Sequence, residues 1–238
     1  MLLGVFEKRS YDLEIIDTGD YTPVEYEEFL RDIRWINRWL GDVDALKQTL
    51  LREIEKSDLP KFSVLDVGAG SGELLRVIAR FARRTKRQAA LSGLELNARS
   101  ATANLEESRN FPEISSIMGN ALALPFADGA FDYAICSLFT HHFRDAQVVE
   151  ILSEMRRVAR RKIFVIDLHR TRAAYFMYTQ FATLVLRGRL SKHDGALSIL
   201  RSFVPSELED FGQKAGLKNA TVTKHFPSRL VLSGNARS

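Results

Sequence analysis

Between residues 22 and 40, in TPVEYEEFLRDIRWINRWL, apolar side chains return every three or four positions: Tyr26, Phe29, Leu30, Ile33, Ile36 and Leu40. Such spacing gathers them on one face of a helix. Thr22 stands at the N-cap, Pro23 at the first helical position and Glu25 three residues after the cap, which makes a capping box; Gly41 ends the run. A second amphipathic helix is predicted from about Asp42 to Lys56, with Val43, Leu46, Leu50 and Ile54 turned inward. After SDLPKF the grammar changes to short β-branched or apolar runs alternating with helical stretches, as in a parallel sheet covered on both faces. Strands are predicted at 63–67, 90–95, 114–118, 131–136 and 162–167, with helices near 72–84, 98–109 and 145–159. Further on, PSELEDFGQKAG carries a second capping box, Ser206 with Glu209, and stops at Gly216. The last runs, KNATVTKHF and RLVLSGNA, are split by Pro227 and Ser228 and are expected to pair as an antiparallel hairpin.

The first strand feeds SVLDVGAGSGELL, residues 63 to 75. A strand ending at Val67 and a helix starting near Gly72 require a sharp turn, and a ligand meeting that turn must find no Cβ atoms in its way. Amides at the start of the following helix can then donate to polar ligand atoms. The dinucleotide fingerprint G-x-G-x-x-G is not met, because Glu73 stands where its third glycine belongs; the pattern is G-x-G-x-G, with Asp66 just ahead of it.

That turn, LSGLELN with Glu95 at the end of the second strand, the run LPF.D..FD within 119–143 (Leu124, Pro125, Phe126, Asp128, Phe131 and Asp132) and EMRRVARRKIFVIDL follow one another in order. Together they resemble class I S-adenosylmethionine-dependent methyltransferases, closest in texture to the small-molecule branch with the quinone-biosynthesis enzymes. The resemblance covers roughly residues 62 to 238. It implies a Rossmann-like, seven-stranded, mostly parallel α/β sheet with an antiparallel C-terminal hairpin, and S-adenosyl-L-methionine as cofactor. On this view residues 1–60 form a helical N-terminal extension covering the active site, 61–238 the methyltransferase domain, and 170–203 an insertion forming a lid or acceptor pocket.

Carried over residue by residue, the resemblance puts Asp66, Gly68, Ala69, Gly70 and Gly72 at the methionine end of the cofactor, Glu95 on the ribose, Leu96 beside the adenine, and Asn120 with Ala121 at its edge. Ser137, ending the fourth strand, joins them. Asn120 departs from the aspartate common in the family and would accept through an amide oxygen. The residues also have plainer readings: Asp66 as a buried acid tying down the turn's amides and Glu95 as an exposed strand-end acid.

Methyl transfer from a sulfonium is a direct displacement, so alignment and exclusion of water are the main requirements and no metal is called for. The acceptor can still need to lose a proton. His141 and His142 follow the fourth strand at the carboxyl edge of the sheet, and His193 with Asp194 lies in the insertion; these are the candidate bases. Each could equally be structural. Where related enzymes carry an Asn-Pro-Pro-aromatic motif for amino groups, this chain has CSLFTHH, which disfavours amino-group methylation.

Tyr21, Trp35, Trp39, Tyr175, Phe176, Tyr178 and Phe181 could line an acceptor pocket or simply form core. AAYFMYTQFATLVL, bracketed by Arg170, Arg172, Arg187 and Arg189, reads as a lid helix with solvated ends or as a membrane-interface segment. It is too short to span a bilayer. A hydrophobic small-molecule acceptor is therefore expected.

Composition changes little: 45% hydrophobic and 27% charged residues suit an ordinary globular chain. A net charge of +4 and the cluster Arg83, Arg84, Lys86 and Arg87 raise a rival, an RNA or protein methyltransferase. A non-catalytic binding module of the same fold is a second rival. The single cysteine, Cys136, and a start without secretory features point to the cytoplasm. Oligomeric state is left open.

Overall fold

A computed structural model describes residues 4–39 and 41–237, apart from the side chains of 30 and 33–39. Phe62, Val64, Leu65 and Val67 are all buried on β1 (Lys61–Val67), an apolar run that lacks strict alternation because both faces of the strand are covered. Around it lie β2 (Gln88–Glu95), β3 (Ile114–Met118), β4 (Phe131–Ser137), β5 (Ala159–Leu168), β6 (Lys218–His225) and β7 (Arg229–Asn235). The order is β3-β2-β1-β4-β5-β7-β6. β1 to β5 are parallel, and β7 lies antiparallel between β5 and β6, so the expected sheet and its C-terminal hairpin are both present.

The helices are α1 (Ile15–Thr18), α2 (Pro23–Trp39), α3 (Asp42–Leu46), α4 (Arg52–Lys56), α5 (Glu73–Arg84), α6 (Ala98–Glu107), α7 (Asp145–Val158), α8 (Arg172–Val185), α9 (Arg189–Arg201) and α10 (Pro205–Lys214). One face of the sheet receives Leu46, Leu50 and Ile54 with Leu75 and Ile78 of α5; the other receives Val148, Ile151 and Met155 of α7 with Leu208 and Phe211 of α10. This three-layer arrangement buries the apolar stripes that the periodicity marked.

The Thr22 capping box is formed: the Glu25 carboxylate accepts from the Thr22 N–H at 2.8 Å, and Thr22 Oγ1 accepts from the Glu25 N–H at 3.2 Å. Two local expectations are corrected. The helix predicted from Asp42 to Lys56 is interrupted by a widened turn over Lys47–Leu51. The last helix begins at Pro205, and the carboxylate that caps it is Glu207, which accepts from the Val204 N–H at 2.9 Å; Ser206 and Glu209 fall inside the helix. Proline fits the first helical position because its missing N–H would have no partner there anyway.

Strand order reverses at β1, with β2 and β3 to one side and β4 onward to the other, which opens a crevice beyond the carboxyl ends of β1 and β4. The 170–203 segment folds as α8 and α9, and α9 packs against α2 above that crevice. No helix among the described residues is long and apolar enough to cross a membrane.

Candidate active site

Four strand ends converge on the crevice, and three of them end in acids: Asp66 on β1, Glu95 on β2 and Asp167 near the end of β5, with Ser137 on β4. Asp66 is only 2% exposed and its Oδ1 has no hydrogen-bond partner among the described residues. It does not tie down the turn. The N–H groups of Gly68 and Ala69 donate instead to the carbonyl of Leu94, at 2.9 and 3.3 Å. Burial, reinforced by repulsion from Glu95, pushes the Asp66 carboxyl up to about 8. Burial also raises Glu95, against the opposing pull of the N–H groups of Gly70 and Leu96, which its carboxylate accepts.

The two leading glycines serve different ends. Gly68 has φ +74°, and the ring of Phe139 fills the place a Cβ would take. At Gly70, with φ +55°, a Cβ would meet nothing within 4 Å, so this backbone faces open space where a ligand can approach it closely.

Beyond β4 the chain makes a single helical turn, Thr140–His142. His141 is buried, and its Nδ1 lies 2.6 Å from Oδ1 of the fully buried Asp167. Asp167 also accepts from the Thr140 hydroxyl at 2.7 Å and from the N–H groups of His141 and Leu168. Burial alone would raise this carboxyl, but the His141 ring and these donors outweigh it and hold the group at about 2. His142 is driven the other way: burial, then the neighbouring His141 and Arg201, depress its pKa well below the usual histidine range. The two rings lie 4.2 Å apart, centroid to centroid.

Arg201 and Arg9 clamp this turn from outside. Arg201 donates to the carbonyl of His142 at 2.8 Å and to Asp17 at 3.1 Å; Arg9 donates to the carbonyls of Arg201 and Phe143 and to Asp145. Glu14, 3% exposed, enters from the same N-terminal segment, with its Oε2 3.9 Å from Nδ1 of His142 and its Oε1 accepting from Ser198 at 2.8 Å. Burial raises its pKa, while His141, Ser198 and Arg201 pull it back.

A cavity of about 800 Å³ is lined by Glu14, Asp66 and the His141–His142 turn, while Glu95 stands beside Gly70 but outside the lining. Of the residues predicted from sequence, Asp66, Gly68, Ala69, Gly70, Ser137, His141 and His142 line it together. Others stand apart. Leu96 is 72% exposed, Asn120 is exposed with its Oδ1 accepting from the Leu122 N–H at 3.0 Å, and Ala121 is buried beside it; none of the three lines the cavity. Gly72 supports the turn from behind, with Asn104 packed against it. The His193 side chain is 52% exposed and outside the cavity; its Nδ1 lies 2.8 Å from Oδ1 of Asp194, a carboxylate that also accepts from the N–H groups of Ile15 and Ile16, at 2.8 and 3.0 Å.

The aromatic expectation is met in part. Tyr178 and Phe181 line the cavity, joined by Tyr26 and Phe29 of α2, whereas Phe176 points outward, Tyr21 stacks on Tyr26 and Tyr175 meets Phe6 edge-on. The side chains of Trp35 and Trp39 lie outside the described residues. Arg170 is not a solvated helix end: it is 2% exposed and grips Glu207 through both terminal nitrogens, at 2.9 and 2.7 Å. Arg189 likewise binds Glu25 at 3.0 Å. In the basic cluster, Arg83 pairs twice with Glu113 at 2.7 Å and Arg87 donates to the carbonyls of Ile54, Ser57 and Leu59, so these cations are bound within the fold.

The acids of LPF.D..FD prove to be scaffolding. Arg157 binds Asp128 at 2.9 Å and the carbonyls of Leu124 and Phe126, while Asp132 accepts from the Ser63 N–H at 2.8 Å and so joins β4 to β1. Sequence reasoning passed over Glu14, Asp167 and Arg201. Asp167 had a readable signal, since IFVIDL ends an apolar strand in an acid as SVLDV does; Glu14 and Arg201 had none.

A family model described as a methyltransferase domain matches residues 64–162. The demethylmenaquinone methyltransferase of Bacillus licheniformis is 25% identical over 181 residues, 71% of this chain and 76% of that one. Among solved structures, magnesium protoporphyrin IX methyltransferase from Synechocystis, with bound S-adenosylhomocysteine, superposes with a TM-score of 0.58 at 14% identity, over 83% of this chain and 84% of that one. The C-methyltransferase domain of the citrinin polyketide synthase gives 0.64 at 10% identity, over 82% of this chain and 52% of that one. The matched domain, these relatives and this sheet support an S-adenosylmethionine-dependent methyltransferase, and the chain resembles the class I quinone-biosynthesis enzymes.

Proposed function

We propose that this methyltransferase transfers the methyl group to oxygen or an activated carbon of a hydrophobic, aromatic or polyketide-like small molecule. The observation that carries the reading is the cavity itself, which has the glycine turn on one wall and the His141–His142 turn on another, with Phe29, Ala174, Met177, Phe181 and Ile199 supplying apolar surface between them. The intramolecular pairing of Arg83 and Arg87 argues against the RNA rival.

In this reading the ammonium and sulfonium end of S-adenosylmethionine lies along Gly68 to Gly70 against Asp66, whose unpartnered carboxyl gains a cation to face. The ribose hydroxyls go to Glu95, which carries two acceptor oxygens at the end of β2. The adenine side then runs outward past Leu96 to Asn120 and Ala121, where an exposed rim leaves space for it to close over the base. The acceptor enters beneath α8 and α9 and presents its reacting atom to the methyl group, in line with the sulfur. The N-terminal extension closes the opposite side, and its seal excludes water from the displacement. Proton loss from the acceptor falls to the His141–His142 turn.

Names of the relatives support the acceptor class without fixing it, since they methylate a quinone precursor, a porphyrin and a polyketide. The test is turnover with isotopically labelled S-adenosylmethionine against a panel of alkylated phenols, quinols and β-ketoesters, with ribosomal RNA as comparison. Label in the apolar phenols or ketoesters supports the reading, and label confined to RNA overturns it.

A further inference from the structure

We infer that Glu14, His141 and His142 form a site for one divalent transition-metal ion on the acceptor side of the cavity. One donor atom from each residue lies within 4.8 Å of the other two. Glu14 comes from the N-terminal segment and the histidines from the turn after β4, so tertiary packing and not local sequence brings the set together.

Three features mark this group as more than a chance cluster. Neither ring nitrogen of His142 has a hydrogen bond among the described residues, and its Nδ1 stops 3.9 Å from Glu14 Oε2, too far for one. Two ligands of one tetrahedral ion stand about 3.4 Å apart, given bonds of about 2.0–2.2 Å, so only a small closure is needed. In His141 the Nδ1 is taken by Asp167 at 2.6 Å, which leaves Nε2 as the donor; a carboxylate behind an imidazole is the usual partner that fixes the tautomer of a metal-bound histidine. Finally, acids outnumber cations around the set: Glu14 and Asp17 face the single guanidinium of Arg201, Asp167 stands behind His141, and Arg9 is paired with Asp145.

All three residues line the cavity. Two histidines and one carboxylate leave open positions on the ion, as catalytic sites require. An acceptor hydroxyl would ionise as it binds there, its proton passing to solvent before the cavity closes, and the oxyanion or its enolate carbon then takes the methyl group as the carbon–sulfur bond breaks and S-adenosylhomocysteine leaves. This role rests on the acceptor reading above; the binding of the ion does not.

The test uses the full chain, freed of metal with a chelator and then titrated with CoCl2 alone, read by visible d–d absorption and by melting temperature. The inference predicts one Co2+ per chain, new absorption bands and a higher melting temperature. Glu14→Gln and His142→Ala should each weaken binding at least about tenfold, and Asp167→Asn about 10–100-fold as an orienting partner. His193→Ala, which removes an exposed histidine outside the set, should change nothing. If His142→Ala fails to fold, Glu14→Gln, close to isosteric, decides. No saturable binding, or equal affinity in wild type and Glu14→Gln, overturns the site. Affinity for S-adenosylhomocysteine, measured in chelator, reports on the cofactor site separately and should be the same in all these proteins.

Discussion

Nδ1 of His141 lies 2.6 Å from Oδ1 of Asp167, in a pair with both side chains buried. Asp167 also receives the Thr140 hydroxyl and two backbone N–H groups, so one carboxylate fixes the whole turn on the acceptor side of the cavity. Removing it leaves four donors without a partner. Asp167→Ala should therefore destabilise the fold by about 3–5 kcal/mol in urea unfolding, while any folded fraction keeps its cofactor affinity. A loss below about 1 kcal/mol would contradict this view of the turn.

Asp66 predicts proton release on cofactor binding. Its folded pKa of about 8 lies above the ordinary value of 3.8, so near neutrality the ligand-free protein holds a proton there that the unfolded chain has given up. The fold consequently loses stability as pH rises from about 4 to about 8, and the loss levels off above that. A cationic ligand favours the ionised carboxyl, so binding at pH 7 should expel the proton, and affinity should increase with pH up to about 8. Calorimetry in buffers of different ionisation enthalpy measures the release directly. A binding enthalpy independent of buffer would contradict the assignment of Asp66 to the cofactor's cationic end.

Within the N-terminal segment, Arg9 anchors the stretch before α1, and α1 itself has its own anchors. Asp194 accepts from Ile15 and Ile16, and Arg201 bridges Asp17 to the carbonyl of His142. Asp194→Ala should free α1 with little change to the sheet. Hydrogen exchange across residues 9–18 should then accelerate at least about tenfold, with global melting nearly unchanged, as for a locally opening unit. Unaltered exchange would show that the segment is held by something else.

The division between what could be read in advance and what could not follows the range of the interactions. The sheet was legible because each strand and helix declares its own period, and the turn at Gly68 to Gly72 because backbone sterics restrict it to small residues. Glu95 and Asp66 were legible as acids ending apolar strands. Glu14 and Arg201 were not, since their roles depend on a segment from the start of the chain folding over a turn more than a hundred residues away. Arg170 misled for the same reason: a cation beside an apolar run looks solvated until Glu207 arrives from another helix. His193 looked catalytic beside Asp194, and the two are in contact, but the ring is exposed and lies outside the cavity, while the carboxylate also holds the backbone of α1.

The central claim is that the glycine turn after β1, with Asp66 behind it, and the carboxylate of Glu95 hold the cofactor, with its sulfur facing the two histidines. A crystal structure with S-adenosylhomocysteine bound measures this most directly. The account predicts the ribose hydroxyls on Glu95, the homocysteine along Gly68 to Gly70 and the sulfur turned into the cavity toward His141 and His142. A nucleoside bound elsewhere, or one whose sulfur faces away from that cavity, would contradict it.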